Sequence, residues 1–233
     1  MAEAKLAEHG RVSYERDSLP SDEYRGALVA LLGMHALPVW GWGQRDAYGR
    51  FAMEGPSLDH WVRTTNLWAE EERDLWEWEQ MVSSLTDESF DGVVASAVGD
   101  LAARTIGAIE QWVDVVLLAV CVDGFGEELM RTVAASSYAP LERHARRMVM
   151  YKRGQCADGC DSLSELVTSA QCDRVVLVDR AALWLDVARD FAATGRALEQ
   201  EVGWVQLGLA DALDVDGALA RVGTRLHHHL EKH

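Results

Sequence analysis

Residues 68–78 read WAEEERDLWEW, and the spacing inside them decides how the chain folds. Glu71 and Asp74 stand three apart, so on a helix they share one face. Tryptophan and leucine crowd the other face, an amphipathic helical pattern. Four-helix proteins carry ligating groups into their cores in this way, with a carboxylate at one position and a second ligand one turn further on.

Outward from this segment, apolar residues recur at three and four, strand-like alternation is nearly absent, and the four prolines fall at 20, 38, 56 and 140. Ser21 or Asp22 caps a first helix that runs to about residue 49 and is kinked or broken at Pro38. Pro56 and Ser57 introduce a second helix ending near Ser84. A third reads from about Ser89 to Val122, with Asp123-Gly124 as its stop. The fourth covers about 127–153 with Pro140 inside, and GQCADGCDS at 154–162 reads as a loop. Further helices are expected near 162–170, 174–202 and 214–230. The fold class is therefore all-α, a four-helix bundle with additional C-terminal helices. Residues 1–20 form a polar extension, 21–153 the bundle core, and 154–233 a loop and helices packed on the same domain.

Composition narrows the partners. The chain has 233 residues, 48% of them hydrophobic, enough for a substantial core. A net charge of −16 argues against binding nucleic acid or an anionic membrane surface, both of which need clustered Lys and Arg. The N-terminus has no apolar signal segment, and the longest apolar run, Val115 to Val122, is far short of the ~20 residues of a membrane span. A soluble, cytoplasmic protein is expected. Four cysteines give no disulfide framework. Cys156, Cys160 and Cys172 cluster without the tight pairs or fourth ligand that zinc wants, so they read as reduced and structural.

Other polar residues fall on apolar helix faces. Glu110 is flanked by Ile106, Gly107, Val113 and Leu117, and its burial needs a partner: either it belongs to a functional site, or Arg104 or a neighbouring helix satisfies it, or it sits at the bundle's margin. His144 shares a face with Leu141, Met148 and Tyr151, while Glu142 faces Arg146 and reads as a solvated ion pair. His35 lies with Leu31, Leu32, Val39 and Trp42, next to Met34, where it either coordinates or packs. Several of the nine tryptophans, among them Trp40, Trp42, Trp68, Trp76, Trp78 and Trp112, stand close enough to wall an apolar pocket, with core filling as the alternative.

In order, these segments resemble the soluble acyl-carrier-protein desaturases of the ferritin-like dimetal class. Met34-His35-Ala36-Leu37-Pro38 looks like that family's EEALP, and the stretch from Trp68 to Asp74 like its WTAEENRH. Glu110 sits where the third helix carries a lone glutamate, and Leu141-Glu142-Arg143-His144 resembles the EKRH of the fourth. The resemblance covers roughly residues 21–150 and implies a ferritin-like bundle. Carried over by position, the family's six ligands fall on Met34, Glu71, Asp74, Glu110, Leu141 and His144. Met34 and Leu141 replace carboxylates and Asp74 replaces a histidine, so the usual di-iron site cannot form unchanged.

Three readings follow. In the first, Glu71, Asp74, Glu110 and His144, with His35 as a further ligand, hold iron or manganese in an oxidoreductase acting on an apolar or acyl-carrier-protein-bound substrate. A basic patch of Arg143, Arg146, Arg147, Lys152 and Arg153 would dock the acidic carrier. In the second, the metal is lost and Glu71, Asp74, Glu110 and His144 do cofactor-independent acid–base chemistry with raised, coupled pKa values. In the third, the chain is a non-catalytic binding subunit. Analogy with the fold adds a homodimer.

Overall fold

The computed structural model describes residues 5–6, 12–43, 57–169 and 172–231, without the side chains of 5, 6, 12, 37–43, 67, 68, 102 and 106. The readings of Pro38, Val39, Trp40, Trp42, Trp68 and Ile106 rest on side chains outside that set. Those of Pro56 and of a first helix reaching residue 49 lie outside the described residues. The described residues are predominantly helical, as an all-α chain requires. The N-terminal stretch adds two short antiparallel strands, β1 (Lys5–Leu6) and β2 (Val12–Ser13), and a single 3₁₀ turn at Arg16–Ser18.

The first long helix, α1, spans Asp22–Gly43 and is capped by Ser21, whose hydroxyl accepts from Tyr24 N at 3.1 Å. Helix α2, Leu58–Ser83, begins at the Ser57 cap and carries Glu71 and Asp74 inward on the face the spacing predicts. The expected third helix is instead three pieces. Ser89 caps α3, Phe90–Val98, which ends at Gly99 in a positive-φ conformation of 51° that favours glycine. After α4, Asp100–Gly107, the chain leaves helical geometry before α5, Trp112–Leu118. Asp123-Gly124 does not stop the helix that follows. A π-turn at Ala119–Asp123 carries α5 straight into α6, Gly124–Val133. A Cβ on Gly124 would meet Arg225 Nη1 at 2.9 Å and Cys156 Sγ at 3.2 Å, so the glycine serves packing there.

The fourth helix is also corrected. The chain turns at 134–138, and Pro140 is the second residue of α7, Ala139–Ser169, where no intrahelical N–H is needed. The expected loop at 154–162 is part of this helix, so the domain boundary drawn there falls inside one continuous element. Gly159 explains half of the misreading: a Cβ there would lie 2.9 Å from Ala119 Cβ, so it marks a close helix crossing rather than a turn. Gly154 makes no such contact. Helices α8, Arg174–Val202, and α9, Val215–Glu231, complete the chain.

Packing runs as a ring. Helix α1 lies against α2 and α3, α2 against α7, α7 against the 112–133 helix, and α8 against both that helix and α1. Helices α1 and α3 cross closely, since a Cβ on Gly33 would lie 2.8 Å from Val93 O. Helix α9 packs on α6, α7, α8 and the π-turn.

Asp114 ties the start of α5 to α8. Its buried carboxylate accepts from Glu110 N and Gln111 N at 2.9 Å each, from Arg180 Nε at 2.7 Å and from Trp184 Nε1 at 3.0 Å. Replacing Asp114 with alanine strands two backbone N–H groups, the buried Trp184 indole N–H and a guanidinium. A loss of about 3 kcal/mol is expected, read as a lower urea midpoint at an unchanged slope.

No helix among the described residues is long and apolar enough to cross a membrane.

Candidate functional site

Two buried features meet the criteria of a site: an ion cluster between α2, the π-turn and α7, and an apolar cavity beside α1.

The cluster is built on Lys152, only 3% exposed on the inward face of α7. Its ammonium donates to Glu71 Oε1 on α2 and to Asp123 Oδ1 in the π-turn, both at 2.8 Å. Gln155, almost one turn on, donates from Nε2 to the same Glu71 oxygen at 2.8 Å. Asp74 lies one turn along α2 from Glu71, fully buried, and neither of its oxygens has a hydrogen-bond partner among the described residues. Burial works against the Lys152 ammonium, but Asp123 and Glu71 outweigh it and hold the amine protonated. Burial pushes the Asp123 carboxyl above its ordinary range, against the pull of Lys152. Glu71, Asp123 and one ammonium already leave a net negative charge. Desolvation and the neighbouring Glu71 then raise Asp74 to about 7, with Lys152 and Arg147 opposing.

A further turn along both helices, His144 is buried against the edge of Trp78, ring centroids 4.7 Å apart. Its Nδ1 lies 2.8 Å from Glu77 Oε2, and Arg147 also bonds that carboxylate. Although its partial burial raises it, Glu77 is held below the usual range by His144 and Arg147. Burial lowers the His144 imidazole, with Glu77 working the other way.

The predicted constellation therefore assembles only in part. Glu71, Asp74 and His144 are inward and follow one another along the α2–α7 interface. Glu110 is a correction: its side chain is 68% exposed, because the chain leaves helical geometry at that point. It pairs at 3.2 Å with Arg180 on the neighbouring α8, as one of the alternatives had it, while Arg104, the other candidate partner, pairs with Asp190. His35 is buried in the second feature, apart from the cluster. Glu142 bonds Arg146 at 2.6 Å as an exposed-side pair.

Sequence reasoning misses Glu77, Asp123, Lys152 and Gln155. Lys152 was visible in principle, since steps of four from His144 through Met148 reach it on the same inward face. Asp123 was hidden because Asp-Gly reads as a helix end.

These residues do not fit a dimetal centre. The Lys152 ammonium takes up the bonding oxygens of Glu71 and Asp123 and is a fixed positive charge where dications would sit. Glu110 faces solvent, His144 is engaged with Glu77, and the buried Met34 and Leu141 offer no hard donor. Among the described residues, no group of three or more His, Cys, Asp or Glu is arranged to hold a metal ion. The four cysteines are free, and Cys156 Sγ lies 2.7 Å from Arg225 Nη1.

The arginines of the basic patch each have an acidic partner. Arg143 pairs with Glu15, Arg146 with Glu142, Arg147 with Glu77 and Arg153 with Glu127, while Lys152 is buried.

The second feature is a cavity of about 120 Å³ between α1, α6, α8 and the segment leading to α9. Met34, Phe125, Leu129, Phe191 and Trp204 supply apolar wall, and the half-exposed Arg196 marks the side open to water. His35, 5% exposed, is among its lining residues. Of the tryptophans named from sequence, Trp78 packs on His144, Trp76 is 60% exposed and Trp112 lines a small cleft with His60. The cavity tryptophan is Trp204 instead.

A scan against protein-family models matches none of them, and no curated protein is significantly similar to the chain.

Proposed function

We propose that the chain is a ferritin-like bundle, resembling the acyl-carrier-protein desaturases, in which an internal ion cluster stands in for the metal pair and which binds a small apolar molecule without chemistry of its own. The observation that carries this reading is the cavity beside His35, concave, largely apolar and open on one side. Its volume is close to that of an engineered apolar cavity of about 150 Å³ that binds benzene, so the ligand is a single small ring rather than an acyl chain. The resemblance in the order of the helical motifs supports the bundle class. The pairing of Lys152 with Glu71 and Asp123 supports a core whose carboxylates are met by a resident ammonium.

Asp74 has a pKa suited to proton transfer, yet neither it nor Glu71 lines this cavity. The reading therefore gives the cluster a structural part and the cavity the functional one.

Fluorobenzene, followed by fluorine NMR, tests it. Saturable binding with a rise in Tm is expected for the natural chain. Ala192→Phe places a ring in the same space and should abolish both effects. Absence of saturable binding to the natural chain, or near-stoichiometric iron in protein from iron-supplemented cells, would sink the reading.

A further inference from the structure

The start of α2 holds a serine placed unlike two other helix caps. Ser21 and Ser89 each accept from the backbone N–H three residues on, at 3.1 Å, and among the described residues no imidazole bonds either hydroxyl. Ser57 also accepts from the N–H three residues on, but at 3.4 Å, and its oxygen lies 2.7 Å from His60 Nδ1. The imidazole contact is the closer of the two, so the hydroxyl serves the ring more than the cap.

His60 is buried, and Trp112 meets its ring edge-on at 5.7 Å between centroids. Its Nε2 lies 3.0 Å from Glu165 Oε2 on α7, an ion-pair contact off the line of a hydrogen bond. These contacts select a tautomer of the neutral imidazole. A hydrogen on Nδ1 would leave the Nε2 lone pair facing a carboxylate oxygen. A hydrogen on Nε2 meets that oxygen instead, and Nδ1 then accepts from the Ser57 hydroxyl. Hydroxyl, imidazole and carboxylate thus follow one another as nucleophile, base and positioning group do wherever a serine is activated.

Ser57 is exposed while His60 is buried, so the hydroxyl is on the solvent side of the pair. Leu58, Trp61 and Val62 are exposed as well and give the start of α2 an apolar surface. None of Ser57, His60 and Glu165 lines the cavity beside His35.

We propose that Ser57 is a reactive serine at which the chain is acylated by activated esters with a short apolar acyl group, with His60 as the base and Glu165 as the positioning residue. The Ser57 oxygen attacks the ester carbonyl carbon as its proton passes to His60 Nδ1. The bond from that carbon to the leaving oxygen breaks, the leaving group takes the proton, and Ser57 keeps the acyl group as an ester. The chain is the acceptor in this step, consumed once per acyl group, and binding in the cavity is independent of it.

Para-nitrophenyl butyrate added to the full chain tests the proposal, with released nitrophenolate and peptide mass spectrometry as readouts. One butyryl group per chain is expected, on Ser57, with Ser21 and Ser89 modified at least about 100-fold more slowly because neither has a base beside it. His60→Gln should slow the reaction at Ser57 by about 100-fold. Glu165→Gln keeps the shape but removes the charge and should slow it severalfold. Glu165→Asp should recover part of that loss, which a merely structural role would not do. Equal modification of Ser57 and the two other caps in the natural chain, or an unchanged rate at Ser57 in folded His60→Gln, would overturn the assignment.

Discussion

Replacing Lys152 with methionine is expected to destabilise the protein by about 3–5 kcal/mol near neutral pH, a large fraction of the stability of a typical domain. Methionine matches the length of the lysine stem, so the loss is one of charge rather than volume. Without the ammonium, Glu71 and Asp123 are buried carboxylates facing one another across the helix interface with their main donor gone. Gln155 still reaches Glu71, but Asp123 has no other side-chain partner in this cluster. The deficit should shrink as pH falls and Asp123, whose carboxyl burial already pushes up, takes up a proton. Urea denaturation at about pH 7 and about pH 5 measures this. Adding Asp123→Asn to the methionine variant should recover part of the loss at the higher pH, because one stranded charge is then removed. Equal midpoints for the natural chain and Lys152→Met at neutral pH would mean that water reaches the cluster.

Asp74→Asn should do the opposite. The folded-state pKa of Asp74 is raised from 3.8 to about 7 by burial and by Glu71. Between those values the folded state holds a proton that the unfolded chain has released. For this group stability therefore falls as pH rises from about 4 to about 7, and the full penalty remains above that. Asparagine cannot ionise, so the variant should lack this slope. It should be more stable than the natural chain at about pH 8, by up to about 4 kcal/mol, with the difference closing towards about pH 4. Thermal unfolding across that range checks the sign. Parallel profiles for the two proteins would show that Asp74 is ordinary.

Both results depend on residues that local patterns expose unequally. The positions of α2 and α8 were legible because their apolar repeats are clean and their caps, Ser57 and Asp173, are ordinary cap residues. Glu71, Asp74 and His144 were legible as inward-facing for the same reason. Glu110 was not, because Gly99 and the break before Gln111 shift the helical phase, and a continuous wheel drawn through both points the wrong way. The opposite error hid Asp123 and Gln155. Asp-Gly and the GQCADGCDS run carry turn chemistry, yet both lie within helix, where tertiary contact at Gly124 and Gly159 overrides propensity. The cavity was half visible. His35 and the aromatic richness were apparent, but Phe191 and Trp204 come from segments far along the chain, and no local period joins them to α1.

The turn between α6 and α7 is closed by main-chain bonds from far upstream: Tyr14 N donates to Ser137 O at 2.7 Å, and Ala139 N to Tyr14 O at 2.9 Å. On the ribosome, Tyr14 emerges long before either partner has been translated. Its amide and carbonyl stay hydrated through most of synthesis, and this seam is sewn only after the helices it spans have docked, since distant pairings wait on loop closure. Tyr14 is thus expected to be among the last of these residues to find its place, a latch on helices already assembled.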